Sequence, residues 1–285
     1  MCNIALPKLK HGVLCVMLLF GMVITMFEHR AFAAENLPLW ELGLGGGGIT
    51  LPQYMGSDES YSIPFVFPYI IYRGERWQVG QGGIQGKLFD NNQISFEMSM
   101  SVGLPVRSDN QARAGMPDLL LTGEVGGKLN WYLHDSSSTG LIARFPMRAV
   151  VNINAEYIGW VADPVLSYRY YMPVEHGNFR TYIDLGLQYN SALYHDTYYG
   201  VDAIYATPDR AAYTAKQGLH SVFSKVWLRY PYNKKTELFA TLQARSLASG
   251  IVSDSPLVRD NTYKTLTLGA IWLFATSDEL VSTQD

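Results

Sequence analysis

Every second residue of the stretch 266–274 is apolar: Leu266, Leu268, Ala270, Trp272 and Phe274 form one row. The interleaved row starts polar or small, with Thr265, Thr267 and Gly269, and turns apolar at Ile271 and Leu273. A period of two belongs to a strand whose two faces meet different surroundings. The same pattern recurs upstream. Over 93–104, Ile94, Phe96, Met98, Met100, Val102 and Leu104 alternate with Gln93, Ser95, Glu97, Ser99 and Ser101. Over 119–133, the apolar row is Leu119, Leu121, Val125, Leu129, Trp131 and Leu133, against Thr122, Glu124, Lys128 and Asn130. Over 141–153, Leu141 to Ile153 at odd positions oppose Arg144, Arg148 and Asn152. Over 179–193, Phe179, Ile183, Leu185, Leu187, Tyr189 and Leu193 oppose Arg180, Asp184, Gln188 and Asn190. Segments 165–172, 221–230 and 236–247 follow more loosely.

A soluble sandwich also alternates, with its polar row in water. Two features favour a membrane barrel. These strands outrun the usual five or six residues and reach the roughly 9–11 needed to cross a bilayer. Their apolar rows also end on aromatics, Trp131, Tyr189, Tyr230 and Phe274, as an interfacial girdle does. Connections are unequal as well. Those at 90–92, 134–138, 175–178 and 232–234 are turn-sized, whereas 105–117, 195–216 and 248–261 are long. If the last strand descends to the periplasm, all three long loops fall outside. The predicted fold is all-β, an antiparallel transmembrane β-barrel of 10–12 strands. Eleven segments alternate, and a bacterial barrel has an even number. Either the first does not span, or 77–89 is split around Gly82 and Gly83; twelve is preferred.

The chain opens with a positive start at Lys8 and Lys10, an apolar run over 13–27 and Ala31-Phe32-Ala33. That is the order of a secretory leader with an A-x-A cleavage site. Residues 1–33 are expected to be removed, leaving 34–285 as a single barrel domain with a short tail from 275. Both cysteines, Cys2 and Cys15, lie in the leader, so the mature chain has no disulfide or thiolate chemistry. Charged residues are 16% of the sequence, below the roughly 25% of ordinary soluble domains. The formal charge of −3 becomes −5 without Lys8, Lys10, Arg30 and Glu28, which together carry +2. Nothing there resembles a basic nucleic-acid footprint, and no nucleic-acid partner is expected.

Candidate chemistry is sparse. Gly43-Leu44-Gly45-Gly46-Gly47-Gly48 satisfies G-x-G-x-x-G, but Ile49-Thr50-Leu51-Pro52 follows where a phosphate-binding fold needs a helix. Glycines that bend a strand explain it better. His134, His176, His195 and His220 are not spaced as metal pairs. His134-Asp135 and His195-Asp196 allow a hydrolase at the barrel rim, yet no nucleophile elbow, S-x-x-K or H-E-x-x-H accompanies them. No catalytic, cofactor-binding or metal-ligating residues are assigned, and no cofactor is expected. The expected lumen row carries Glu97, Glu124, Asp184 and Glu237 with Lys128, Arg144, Arg148, Arg169, Arg180, Lys225, Arg229 and Arg245. It reads either as an ion-lined pore or as a plugged interior of paired charges; the plugged interior is favoured at this barrel size.

Three stretches carry a resemblance. Gly45 through Pro52-Gln53-Tyr54-Met55-Gly56-Ser57-Asp58, with Ile63-Pro64 after it, resembles the glycine-rich strand and P-x-Y-x-G-S-D segment of the MipA/OmpV family of outer-membrane proteins. Tyr198-Tyr199-Gly200-Val201 is similar to that family's Y-Y-G-V loop, and Asp254-Ser255-Pro256-Leu257-Val258 to its D-S-P-L-V segment. The chain departs from the family by running on from Ala275 to Asp285 after the last aromatic. The resemblance implies a non-enzymatic scaffold for murein synthesis and hydrolysis in a Gram-negative outer membrane. Its implied partners are a lytic transglycosylase, a bifunctional penicillin-binding protein and outer-membrane lipid. A narrow solute channel and a surface adhesin are the alternatives.

Overall fold

The computed structural model describes residues 36–74, 77–80, 83–86, 89–90, 93–106 and 110–282. The expected leader, its cleavage site and both cysteines lie outside them. Sixteen strands follow in order. The first eight are β1 (Asn36–Pro38), β2 (Trp40–Pro52), β3 (Ser60–Arg73), β4 (Trp77–Gly80), β5 (Gly83–Gly86), β6 (Phe89–Asp90), β7 (Ile94–Gly103) and β8 (Thr122–Asp135). The rest are β9 (Thr139–Asn152), β10 (Tyr157–Ala162), β11 (Val165–Val174), β12 (Gly177–Asn190), β13 (Gly218–Asn233), β14 (Thr236–Ser246), β15 (Thr262–Thr276) and β16 (Leu280–Ser282). Among the described residues one α-helix, α1 (Ala192–Tyr199), sits in the longest loop.

Fourteen strands form one antiparallel sheet in the order β5-β4-β3-β2-β15-β14-β13-β12-β10-β9-β8-β7-β6, with β11 beside β10. β10 and β11 occupy successive lengths of one slot between β9 and β12. Pro164 breaks that slot, since it brings no N–H to a ladder. β5 runs beside β7 within 8 Å and β6 pairs with the start of β7, so these two also share a slot. Twelve staves result. β4 and β5 pair with Gly80 opposite Gly83, so 77–89 is split as the even count requires.

The two rows of each stave separate as the alternation predicts. Leu266, Leu268, Trp272 and Phe274 point outward and are exposed, while Ile271 and Leu273 face in and are buried. Outward rows elsewhere expose Met98, Met100, Val102, Phe145, Met147, Leu185 and Leu187. A continuous apolar belt of this kind has no stable surroundings in water and a natural one in hydrocarbon. The longest staves hold 14–16 residues. At about 3.3 Å per residue and about 40° of tilt they rise about 35–40 Å, enough to span the core.

Two assignments shift. Leu119 precedes the strand and is buried among loop residues instead of joining the lipid-facing row. Leu193 lies in α1, because Ser191 ends β12 and caps the helix by accepting from the Tyr194 N–H at 3.3 Å. The glycine run belongs to β2, with no helix after it. A Cβ on Gly45 would sit 2.2 Å from the Phe67 ring, so the ring lies where only glycine leaves room. In the tail, β16 pairs with β1 in a small ribbon at the short-turn end. The connections over 104–121, 191–217 and 247–261 all emerge at the other end.

Candidate functional site

The long loops do not splay into solvent; they fold over the barrel mouth around two buried clusters, the smaller formed by Ala112, Met116, Val201 and Leu257, and the larger the focus of the motifs. The larger contains Tyr54, Val106, Leu119, Val150, Val161, Tyr194, Tyr198, Tyr199, Leu247 and Val252. Within it, the three stretches singled out by their motifs meet. Tyr54 Oη donates to the Leu257 carbonyl at 2.6 Å. Tyr199 Oη donates to the Met55 carbonyl at 2.8 Å, and Ser255 Oγ donates to the Tyr199 carbonyl at 2.7 Å. The Arg259 N–H reaches the Gly56 carbonyl at 2.7 Å. Gly56 has φ of +99°, a backbone shape that side chains disfavour, and it packs under Val258. Turn residues in the sequence thus become the latch between loops far apart along the chain.

A hydrogen-bonded chain runs from this latch into the barrel. Arg245 Nη1 donates to Ser221 Oγ at 2.7 Å, and Ser221 lies 2.9 Å from His220 Nδ1. His220 Nε2 lies 2.8 Å from Tyr199 Oη. Because Tyr199 gives its proton to Met55, His220 must donate from Nε2, and Nδ1 accepts from Ser221. His195 stacks on His220 with ring centroids 5.5 Å apart. Its Nδ1 donates to the Lys216 carbonyl at 2.6 Å, which leaves Nε2 without a hydrogen-bond partner among the described residues. Burial lowers the His195 pKa, opposed by that carbonyl. Burial likewise raises the phenols of Tyr54, Tyr194, Tyr198 and Tyr199. These shifts keep His195 and the four phenols neutral at ordinary pH, so their part in the cap is one of dipoles and packing. Two arginines tie the remaining loop backbone: Arg113 to the Tyr198 carbonyl, and Arg210 to the Ala112 and Ala114 carbonyls, each at 3.0 Å.

Below the cap, the lumen is crossed by ion pairs. Lys128 meets Glu97 at 2.7 Å, Lys225 meets Asp184 at 3.0 Å, and Arg73 meets Glu41 at 2.8 Å. Arg148 holds Glu124 at 2.8 Å and also Asp163. Arg229 pairs with Glu237, and Arg169 with Asp135. All four acids of the expected lumen row are thus paired with its cations, Arg148 and Arg169 also find Asp163 and Asp135, and Arg245 turns to Gln188 and Ser221.

A model of the family described as MltA-interacting protein MipA matches residues 44–274. The chain belongs to that family. The matched span runs from β2 to the last aromatic of β15 and takes in every segment of the cap. A comparison with curated proteins found no match. Among solved structures, one described as a bacterial polysaccharide outer membrane secretin is 8% identical, with 84% of this chain and 99% of that one covered and a TM-score of 0.41. The outer membrane protease OmpT from Escherichia coli is 10% identical over 87% of this chain and 99% of that one, with a TM-score of 0.27. Family membership and the lipid-facing belt place the chain in the outer membrane as a β-barrel.

The histidines considered for a rim hydrolase are separated by this family fold. His134 bonds Thr139 Oγ1 at 3.2 Å within its turn, while Asp135 is engaged by Arg169. His195 is fully buried, and Asp196 accepts from the Ala215 N–H at 3.1 Å. Among the described residues no three His, Cys, Asp or Glu side chains gather as a metal centre would require. What sequence reasoning missed was the meeting of Tyr54, Tyr199, His220 and Ser255. Their burial is signalled only by the aromatic richness of 194–205.

Proposed function

We propose that this MipA-family barrel is a non-enzymatic scaffold for murein enzymes, exported behind a leader cleaved near Ala34. The family match across residues 44–274 carries the proposal, because the family is described by its interaction with MltA. A lytic transglycosylase docks at the periplasmic, short-turn end, and a bifunctional penicillin-binding protein joins it there. Two observations support that end. The outer mouth is closed by its own loops, and the ion-paired lumen opposes a role as a solute channel. The short-turn end instead carries the β1–β16 ribbon, where Leu280 is 58% exposed. Apolar residues exposed beside a strand pair offer contact surface for a partner protein.

The test is site-specific photocrosslinking in living envelopes. A photoreactive residue at His176, Lys234 or Leu280 should capture a lytic transglycosylase, identified by mass spectrometry. The same residue at Ile204, on the outer cap, should not. Capture from Ile204 alone, or no murein enzyme from any short-turn position, overturns the scaffold reading.

A further inference from the structure

Where β11, β12 and β13 run side by side, the register stacks aromatic and cationic side chains on one inner wall. Across β12 and β13, Arg180 faces Arg229, Tyr182 faces Trp227 and Asp184 faces Lys225. On the other flank of β12, Tyr171 faces Arg180 and Arg169 faces Tyr182. Burial of Arg169, Asp184 and Arg229 fixes this as the inner face, and strand alternation turns the other five residues with them. The wall lies toward the short turns at 175–178 and 232–234, which join these same strands. Cations outnumber carboxylates on it. Asp184 serves two cations at once, Lys225 at 3.0 Å and Arg144 of β9 at 3.9 Å. Arg229 takes Glu237 and Arg169 takes Asp135. With Arg180 added, five cations stand against three carboxylates among the described residues. Arg180 and Arg229 meet directly in the ladder, where like charges destabilise each other and an anion drawn between them relieves the repulsion.

Aromatic rings are interleaved with these charges. Tyr182 packs edge-on to Trp227 with ring centroids 5.3 Å apart, and its hydroxyl lies 2.6 Å from that of Tyr171. The guanidinium groups of Arg169 and Arg180 lie 5.0 Å and 5.9 Å from the Tyr171 ring centroid. The wall borders solvent. Although they point into the lumen at Asp184, the Lys225 and Arg144 side chains are 36% and 27% exposed. Arg180, Tyr182 and Trp227 are half-buried. The loop cap closes the other mouth, so this solvated wall is reached from the short-turn end.

We propose that this wall binds a carboxylate-bearing glycan, a soluble murein fragment of the class that lytic transglycosylases release. The choice of ligand class rests on the scaffold reading above. Aromatic faces carry sugar rings, guanidinium and ammonium groups take carboxylates, and the tyrosine hydroxyls meet sugar hydroxyls. A neutral sugar leaves the excess of positive charge unmatched, and a bare carboxylate leaves the aromatic faces uncovered.

The test is calorimetric titration of the mature chain in nanodiscs with a purified disaccharide–tetrapeptide cut from murein by a muramidase. Saturable binding is expected. Lys225→Gln, Arg180→Gln and Trp227→Leu should each weaken it at least tenfold, while Ile204→Ser on the outer cap should leave it unchanged. Amidating the carboxylates of the probe should abolish binding to the unaltered protein, a result that depends on no variant folding. Absence of saturable binding, or binding indifferent to amidation and to all three variants, overturns the proposal. Equal binding of the sugar-free tetrapeptide overturns the assignment to a glycan. The photocrosslinks at His176, Lys234 and Leu280 separate this site from the scaffold reading. Capture of the transglycosylase without titration sinks the ligand site alone, and titration without capture sinks the scaffold alone.

Discussion

Replacing Tyr199 by phenylalanine removes one oxygen from the centre of the cap and changes almost no volume. That hydroxyl donates to the Met55 carbonyl and accepts from His220 Nε2, each at 2.8 Å. Met55 is only partly buried, so water can take over its carbonyl, and the loss there is about 0.5–1.5 kcal/mol. His220 is fully buried, and an N–H left without an acceptor costs about 1–3 kcal/mol. Together the cap should lose roughly 2–4 kcal/mol, which is about a 30- to 1,000-fold rise in local opening. Amide hydrogen exchange reads this directly. The Ser57 N–H, bonded to the Tyr54 carbonyl, and the Arg259 N–H, bonded to Gly56, should lose that much protection. Amides in the β13–β14 ladder should not change, because the barrel stays closed when the cap opens. The reasoning fails if cap protection falls less than threefold, or if the ladder falls with it.

Three further outcomes follow from the same geometry. His195 is held below its ordinary value of 6.5 in the folded cap, so the unfolded loop takes up a proton first as pH falls. Its stabilisation is complete above about pH 6.5 and is lost below it, down through the lowered folded value, so exchange over 191–217 should quicken there and His195→Gln should flatten the response. Gly56→Ala forces a side chain into φ of +99° and sets a Cβ 3.2 Å from Val258; at about 1–2 kcal/mol, cap exchange should rise about 5- to 30-fold. Arg148→Gln leaves Glu124 and Asp163 facing each other without their shared cation. Stability in urea should fall by about 3–5 kcal/mol, and an unchanged urea midpoint would refute the pairing.

Much of the barrel was legible because lipid and lumen impose opposite demands on alternate residues. The last strand shows it: Leu266, Leu268, Trp272 and Phe274 face out as the pattern requires. The error at Leu119 came where that demand stops, at the rim, where an apolar residue can turn to either side. The pairing of β3 leaves a trace as well, since Pro64 and Pro68 share a parity that spares the ladder to β2.

The cap left no such trace. Tyr54 and Leu257 are 203 residues apart, and Tyr199 and Met55 are 144 apart. Bonds between loops have no period, so the motifs read as separate turns. Likewise the sequence supplied the sign of each lumen charge, but Arg148 finds Glu124 only once β8 and β9 are in register. Periodicity, then, determined that the chain closes into a lipid-facing sheet, because every residue of a stave answers to the same two solvents. Which loops meet and which charges pair were decided by register and chain closure, which bring together residues that share no local pattern.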